Sequence, residues 1–272
     1  MIIRLVTANI WDLPVALPVL RPRTRLRRLF AALPRLDADI VILQEAFRPK
    51  IRRRILRLLP DLHADARADS RRWAGPLLMD DAGGLLTLSR WLIRSTRYQP
   101  ARRVPGGKLD ERIGRKGCLW TTIATPAGDL LVGNVHLYAG DALRDAHTRA
   151  IQARHLLARG HSRPDVPTVL GGDFNWDLEF ERSERGHTGI AEMLRAGFRE
   201  VADNRGDGIS TMDPRGNPFA RYVHWRRPVR RLSYVYYRGP GLDRGPEPAA
   251  LCLHEEPVSD HYGLRVTVTM GG

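Results

Sequence analysis

The amino-acid sequence predicts an α/β fold in which two mixed β-sheets pack face to face with helices outside them, giving a four-layer sandwich. Short apolar runs bounded by Gly, Pro, Asn and Asp are typical of strands, and their near-continuous hydrophobicity indicates burial on both faces. Helical patterns separate some of these runs, and several strands follow one another in the second half of the chain. The predicted strands are Ile2 to Thr7, Ile40 to Leu43, Gly84 to Leu88, Leu119 to Ala124, Leu130 to Val135, Thr168 to Leu170, Leu232 to Tyr237 and Leu264 to Thr269.

Three segments carry apolar residues at helical spacing: Thr24 to Leu33, Ile51 to Leu59 and the longer Asp141 to Ala158. The first two are rich in arginine. Such helices can face an anionic membrane or a nucleic acid, but more often they present a solvated charged face, which we expect here. The arginines are Arg23, Arg25, Arg27 and Arg28 in the first helix, and Arg52, Arg53, Arg54 and Arg57 in the second.

Length and composition fit a single domain over residues 1–272 and a monomer. Apolar residues make up 43% of the chain and are spread along it, so we expect no disordered half and no charged tail. Two irregular stretches, 60–81 and 204–228, are rich in Arg, Asp, Gly and Pro. Because no second core follows either stretch, we expect both to form excursions at the rim of a site.

The formal net charge of +14 comes almost entirely from arginine, since Lys50, Lys108 and Lys116 are the only lysines. A guanidinium offers a planar fork of donors that suits phosphate, so a phosphate-bearing partner is one interpretation. An arginine-rich proteome from a high-GC genome would give the same balance. The composition leaves both interpretations open.

The sequence starts without a charged leader and an apolar core of the kind that directs secretion. No apolar run approaches the roughly 20 residues that cross a bilayer. We therefore expect a cytoplasmic protein with no transmembrane segment; secretion is the alternative if the natural chain begins further upstream. Peripheral contact with a membrane stays open.

Polar side chains end the apolar strands, which is where α/β proteins collect ligands. Taken singly, each has a structural explanation as a turn residue, a cap or a core histidine. Together they place carboxylates, amides and imidazoles at five strand ends, without a thiol, as is typical of a site for Mg²⁺ or Mn²⁺. These residues are Asn9, Gln44, Glu45, Asn134, His136, Asp173, Asn175, Ser259, Asp260 and His261.

Five ordered segments resemble the endonuclease/exonuclease/phosphatase superfamily, and within it the neutral sphingomyelinases. They are Thr-Ala-Asn9, Leu-Gln-Glu45, Asn-Val-His136, Gly-Gly-Asp173-Phe-Asn175 and Ser-Asp260-His261. Less specific segments that resemble the sphingomyelinase branch are Ala-Asn-Ile-Trp-Asp-Leu-Pro, Gly-Gly-Leu-Leu-Thr-Leu-Ser-Arg-Trp and Lys116-Gly117. The resemblance implies a deoxyribonuclease-like four-layer fold.

The resemblance also implies roles for the conspicuous side chains. Glu45 would bind the metal ion with Asn9 beside it, and Asp260 would lie next to the metal. Asp173 and Asn175 would hold the phosphate and the attacking water. His136 would donate to phosphate oxygens, His261 would act as the general base, and Lys116 would lie near the phosphate.

One position departs from the family pattern. The segment Arg231-Leu232-Ser233-Tyr234-Val235-Tyr236 usually carries an Asp where this chain has Ser233, and that Asp orients the catalytic histidine. Asp203 and Asp207 are the nearest candidates by sequence to replace it.

The function that follows is metal-dependent hydrolysis of a phosphodiester in a sphingomyelin-like phospholipid, releasing a phosphorylated head group. A DNA or RNA nuclease is the alternative that the net charge favours. A catalytically weak relative that binds phospholipid or nucleic acid is the alternative that Ser233 favours.

Overall fold

The computed structural model describes residues 1–13, 21–74, 77–104, 109–158, 164–176, 188–202 and 209–271. Seven described strands form the first sheet: β1 (Ile2–Asp12), β2 (Ile40–Ala46), β3 (His63–Ala64), β6 (Leu86–Ser89), β13 (Leu242–Arg244), β14 (Ala250–Cys252) and β15 (Gly263–Met270). Its strand order is β13-β15-β1-β2-β6-β3, with β14 also paired to β15. Only β1 and β2 run parallel, so the sheet is mixed.

Six described strands form the second sheet: β7 (Ile93–Pro100), β8 (Gly117–Thr125), β9 (Gly128–His136), β10 (Thr168–Asp173), β11 (Arg199–Glu200) and β12 (Ser233–Arg238). The order is β11-β12-β10-β9-β8-β7, and β9 and β10 form its parallel pair. A separate antiparallel pair consists of β4 (Arg72–Ala74) and β5 (Leu77–Met79).

The two sheets share one apolar core, in which Ile3, Leu5 and Ile42 of the first sheet pack with Val132 and Val235 of the second. On the outer face of the first sheet, α1 (Pro22–Ala32) and α2 (Pro49–Leu58) contribute to a second cluster. On the outer face of the second sheet, α4 (Leu143–Ala158) and α5 (Gly189–Arg195) contribute to a third. This arrangement confirms the predicted four-layer α/β sandwich.

The predicted strands and helices are all present, with ends displaced by a few residues. The sequence analysis missed the short strands and the edge strand β7, because β7 reads Ile-Arg-Ser-Thr-Arg-Tyr-Gln-Pro and has no apolar face. It also missed α5 and two short helices, α3 (Leu109–Gly114) and α6 (Pro218–His224). None of the described helices has the length and hydropathy needed to cross a membrane.

Two of the helix arginines are buried, contrary to the expectation of fully solvated helix faces. Arg25 donates to the carbonyls of Ile10, Trp11 and Val258, and only 3% of it is exposed. Arg52 is fully buried and donates to four backbone carbonyls. Backbone oxygens at the ends of neighbouring segments satisfy these guanidiniums, a tertiary effect that helical periodicity does not reveal.

Candidate active site

The carboxyl ends of the two parallel strand pairs meet at one end of the sandwich. Behind them, Gln44 donates from Nε2 to Asn134 Oδ1 at 2.8 Å and joins the two sheets. Asn134 in turn donates from Nδ2 to the carbonyls of Leu43 and Leu86. Gln44 and Asn134 therefore form a buried hydrogen-bond link between the two sheets. Gln44 directly precedes Glu45, and Asn134 lies two residues before His136.

Asn9 connects the two principal carboxylates. Its Nδ2 lies 2.9 Å from Glu45 Oε1 and 3.0 Å from Asp173 Oδ2. Its Oδ1 accepts the backbone N–H of Trp11 at 3.0 Å, which fixes the orientation of the amide. In this arrangement Asn9 brings a carboxylate of each sheet to the same point, and its predicted place beside the metal ligand stays a prediction.

Three non-glycine residues of the site adopt the left-handed backbone region, with φ of 50° at Trp11, 55° at Glu45 and 56° at Asn175. Such conformations cost about 1–3 kcal/mol each and collect at functional sites. Each of the three lies at or just beyond the end of a strand, so the turn redirects its side chain towards the cleft described below. Asn175 is held by a hydrogen bond from Nδ2 to Leu137 O at 3.0 Å.

Two histidines flank Asp173. His136 Nε2 lies 3.6 Å from Asp173 Oδ2 and 3.9 Å from Glu45 Oε1, whereas His261 Nδ1 lies 3.9 Å from Asp173 Oδ2. Both rings are buried. Burial, followed by the neighbouring Lys116 and His261, holds the pKa of His136 well below its ordinary value. His136 is therefore a neutral imidazole at neutral pH.

Asp260 is held from both sides. Ser259 donates from Oγ to Asp260 Oδ1 at 3.1 Å, and His224 Nε2 lies 3.3 Å from Asp260 Oδ2. Burial alone would raise the pKa of Asp260, but His261 and His224 outweigh it and lower the value. Asp260 is thus an oriented, ionised carboxylate.

Lys116 is paired and mostly buried. Its Nζ donates to Glu111 Oε1 at 2.8 Å, and only 12% of the side chain is exposed. Burial would lower the pKa of Lys116, but Glu111, Glu45 and Asp173 outweigh burial and raise it. The ammonium is therefore charged and within electrostatic reach of both principal carboxylates.

Glu45 has the chemistry of an incomplete cation site. Burial, assisted by the Asp260 carboxylate, raises the pKa of Glu45 to about 7. Its Oε2 is buried and has no hydrogen-bond partner among the described residues. A divalent cation would satisfy that oxygen and offset the crowded negative charge.

Across the described ranges, no group of three or more His, Cys, Asp or Glu side chains is arranged to hold a metal by itself. Mg²⁺ typically takes one or two carboxylates and completes its shell with water and substrate phosphate. The oxygen donors at Glu45 and Asp260 therefore fit such an ion, which water and substrate would complete.

These side chains line a cleft of about 540 Å³. Glu45, His136, Asp173, Asp260 and His261 are among its lining residues, as are Lys116 and Asn175. Residues of both irregular stretches contribute as well, including Met79 from the first and His224 and Arg227 from the second. This agrees with the expectation that these stretches lie at the rim of a site.

Comparison with known proteins identifies the family. The model of the "Endonuclease/Exonuclease/phosphatase family" matches residues 6–261. The chain belongs to the endonuclease/exonuclease/phosphatase family. Members of this family are hydrolases that act on phosphodiesters, so the chain is a phosphoesterase by family. Among curated proteins, no sequence matches it significantly.

Solved structures from this family show the same fold. A magnesium-bound mutant of the beta toxin from Staphylococcus aureus superimposes with a TM-score of 0.72 at 17% identity, covering 99% of this chain and all of that one. Sphingomyelinase C from Streptomyces griseocarneus gives 0.64 at 16% identity, with full coverage of both chains. A humanised TDP2 from D. rerio gives 0.67 at 16% identity, covering 99% of each chain. Identities this low show the fold and leave the substrate open.

The structure places Ser233, where the resemblance implies an Asp, in a buried position. Ser233 is fully buried, and its Oγ has no hydrogen-bond partner among the described residues. His261 Nδ1 is buried and, within the same described ranges, likewise lacks a hydrogen-bond partner. Asp203 and Asp207, the proposed replacements for the family's Asp, lie outside the described residues.

Sequence reasoning missed several side chains of this family site. His224 contacts Asp260, Glu111 pairs with Lys116, and Asp141, Arg227 and Arg230 line the cleft. They lie in loops or short helices without apolar periodicity, so no strand-end argument reaches them. The concentration of charge in the irregular stretch before Ser233 was a signal for His224, Arg227 and Arg230 but not for Glu111 and Asp141.

Proposed function

We propose that this protein hydrolyses the phosphodiester of a phospholipid in a reaction that requires Mg²⁺ or Mn²⁺. The observation that carries the proposal is the amide of Asn9, which joins Glu45 and Asp173 at hydrogen-bond distance, with His136 and His261 within 4 Å of Asp173. This arrangement supports phosphate binding beside a cation and a base.

In this proposal Glu45 and Asp260 hold the ion. A bound divalent cation neutralises phosphate oxygens and stabilises the leaving group, an effect of several kcal/mol. Glu45 has an unsatisfied oxygen among the described residues, and Asp260 is kept ionised and oriented. Lys116 adds a positive charge to the same cleft.

His261 removes the proton from the attacking water, a step worth about 10² to 10⁴ in rate. The Ser259 hydroxyl accepts the backbone N–H of His261 and helps to fix its position. Asp173 and Asn175 position the water and the phosphate; Asp173 Oδ1 accepts the backbone N–H of Asn175, which makes the two act as one unit.

His136 donates an N–H to a phosphate oxygen as a neutral imidazole. Its lowered pKa supports a hydrogen bond without a charge, because a protonated ring is disfavoured in this buried position. The ring therefore orients the phosphate and leaves the proton transfer to His261.

Exposed aliphatic side chains at the cleft favour a lipid. Ile113 and Val223 line the cleft and are 38% and 42% exposed, and Tyr222 and Trp225 next to Val223 are also exposed. Aliphatic side chains pack against acyl chains, and exposed aromatic side chains suit a membrane interface. They support peripheral contact with a membrane. The net charge of +14 favours a nuclease as the second candidate.

The proposal is tested by a hydrolysis panel with Mg²⁺, Mn²⁺ or excess chelator. The substrates are sphingomyelin vesicles, lysophospholipids, plasmid DNA and a chromogenic diester. We expect metal-dependent release of a phosphorylated head group from vesicles. Cleavage of DNA with salt-sensitive binding and no lipid hydrolysis would favour the nuclease, and full turnover in chelator would exclude the metal mechanism.

A further inference from the structure

Three further charged side chains form a cluster on the wall of the same cleft. Asp141 follows β9, and Arg227 and Arg230 follow α6; all three line the cleft. Arg230 Nη1 lies 2.9 Å from Asp141 Oδ1, and Arg227 Nη1 contacts Asp141 Oδ2. The two guanidiniums thus meet at one carboxylate.

Arg227 is the member of the cluster that is open to a ligand. Its side chain is 38% exposed, and it shares its carboxylate partner with Arg230. Partial burial, followed by repulsion from Arg230, lowers the pKa of Arg227. The single carboxylate of Asp141 offsets only part of the positive charge of the two arginines, so Arg227 can attract an anionic group in the cleft.

The cluster is within reach of the phosphodiester site. Arg230 precedes Ser233 by three positions, a span of at most about 11 Å of backbone. Ser233 is the cross-strand partner of Asp173. Arg227 meets Arg230 at Asp141, so a ligand that extends along this wall of the cleft can place one phosphate beside Asp173 and a second anionic group at Arg227.

The part of the cleft at Arg227 suits a cationic head group less well than an anionic one, so we expect sphingomyelin to be a poorer substrate than a lipid with an additional phosphate. Arg227 repels a quaternary ammonium in this part of the cleft. Two described Phe or Trp residues line the cleft, and both are buried: Phe47 packs against Gly84, and the guanidinium of Arg25 lies 4.6 Å from the ring centroid of Trp11. That ring face is thus not open for a cation–π contact with a ligand.

We propose that Arg227 forms a second anion subsite and that the substrate is a phospholipid whose head group carries an additional phosphomonoester. This inference rests on the proposed phosphodiesterase function. A guanidinium binds phosphate through two parallel hydrogen bonds, so the subsite selects for a second phosphate by geometry as well as by charge. The exposed Ile113 and Val223 at the same cleft favour a lipid over a nucleic acid.

Calorimetry with Mg²⁺ present tests the subsite without turnover. The probes are propyl phosphate, propanediol bisphosphate, hexanediol bisphosphate and phosphocholine. We expect one of the bisphosphates to bind at least about tenfold more tightly than propyl phosphate, as one added charge-assisted contact provides. Phosphocholine is expected to bind no more tightly than propyl phosphate.

Three variants make the test specific. Arg227→Gln should abolish the preference for the bisphosphate, whereas Arg226→Gln removes the same charge from an exposed residue outside the cleft lining and should leave the preference intact. Asp141→Asn should strengthen bisphosphate binding, because the competing carboxylate charge is gone. If Arg227→Gln does not fold, the Asp141→Asn variant tests the subsite instead. Unchanged or weaker bisphosphate binding by Asp141→Asn would then overturn the subsite.

Equal binding of mono- and bisphosphates, or a preference that survives Arg227→Gln, also overturns the subsite. Turnover is measured separately, on sphingomyelin vesicles and on vesicles of a lipid whose head group bears a phosphomonoester. If no diester is hydrolysed while the calorimetric preference holds, the proposed function fails and the subsite stands. Hydrolysis of an oligonucleotide that Arg227→Gln weakens would assign the second anion to a neighbouring nucleotide and overturn the lipid assignment.

Discussion

Ser233 lies directly opposite Asp173 in the antiparallel pairing of β12 and β10. The resemblance to the family implies an orienting Asp at this position. The Ser233 hydroxyl and His261 Nδ1 are both buried and, among the described residues, have no hydrogen-bond partner. A carboxylate bonded to one imidazole nitrogen fixes the tautomer and stabilises the imidazolium that forms. Serine is shorter and uncharged, so we hypothesise that His261 is a slow base.

Ser233→Asp is therefore expected to raise kcat by at least about tenfold while leaving metal affinity nearly unchanged. In serine proteases the loss of the orienting Asp costs about 10⁴, and a metal site that shares the work should respond less. Ser233→Asn is the matched uncharged control. A lower kcat in a folded, metal-binding Ser233→Asp protein would mean that another acid already orients the ring.

Glu45→Gln should abolish both hydrolysis and Mg²⁺ binding, because the amide keeps the shape of the side chain but removes the ligand charge. Glu255→Gln, a charge change at an exposed residue, is the control.

His261→Ala should cut turnover by at least about 10² and leave metal binding in place. Calorimetry with Mn²⁺ measures the loss of metal binding, and hydrolysis of a chromogenic diester measures the loss of turnover. Retention of metal affinity in Glu45→Gln would show that Glu45 does not bind the ion.

The raised pKa of Glu45 gives the metal-free protein a pH dependence. Between the ordinary pKa of 4.5 and the folded value of about 7, the folded state binds more protons than the unfolded state. The unfolding free energy should therefore fall as pH rises through this range, by roughly 3 kcal/mol from this group.

Mg²⁺ should oppose the fall in unfolding free energy with rising pH. The affinity for Mg²⁺ should rise with pH and level off above about 7, because the Glu45 carboxyl must be deprotonated to bind the ion. Urea unfolding across pH checks the effect, and Glu45→Gln should lack this component. Identical pH slopes in the two proteins would show that Glu45 titrates normally.

His224 should position Asp260 through the 3.3 Å contact between Nε2 and Oδ2. Partners of this kind typically change metal affinity or activity by about 10- to 100-fold. We expect His224→Leu to lower the affinity for Mn²⁺ by about 10- to 100-fold. His224→Gln keeps a hydrogen-bond donor and should retain most of the affinity. Arg221→Gln in the same helix is the control, and equal losses in the two His224 variants would indicate a packing role only.

Arg52 should stabilise the fold. It donates to four carbonyls and lies 3.6 Å from Asp80, both side chains being fully buried. Arg52→Met leaves the Asp80 carboxyl buried without its cation and should lower the unfolding free energy by about 3–5 kcal/mol. The exposed Arg53→Met should change it by less than about 0.5 kcal/mol. Urea denaturation distinguishes them.

Much of the fold was predictable because it depends on local patterns. Buried strands such as β2 and β10 are short apolar runs between turn residues, and α4 carries helical periodicity, so sequence alone located them. The short strands and α6 were not predictable, since runs of two to seven residues are too short to show a strand or helix period, and neighbouring strands or the cleft determine their conformation. The conformations of Trp11, Glu45 and Asn175, with positive φ, likewise depend on tertiary surroundings rather than on propensity.

By itself the sequence determined the layers of the fold and the chemical character of the site, because strand ends carry Asn9, Glu45, His136, Asp173 and His261 in an order that the family shares. Only the tertiary structure decided which of these side chains touch. Asn9 bridges Glu45 of one sheet and Asp173 of the other, and Asp173 is 164 positions from Asn9 along the chain. It also decided that His224 holds Asp260 and that Arg227 meets Arg230 at Asp141. Contacts between loops depend on how the sheets and helices place the chain in space, and no residue pattern along the sequence encodes that distance.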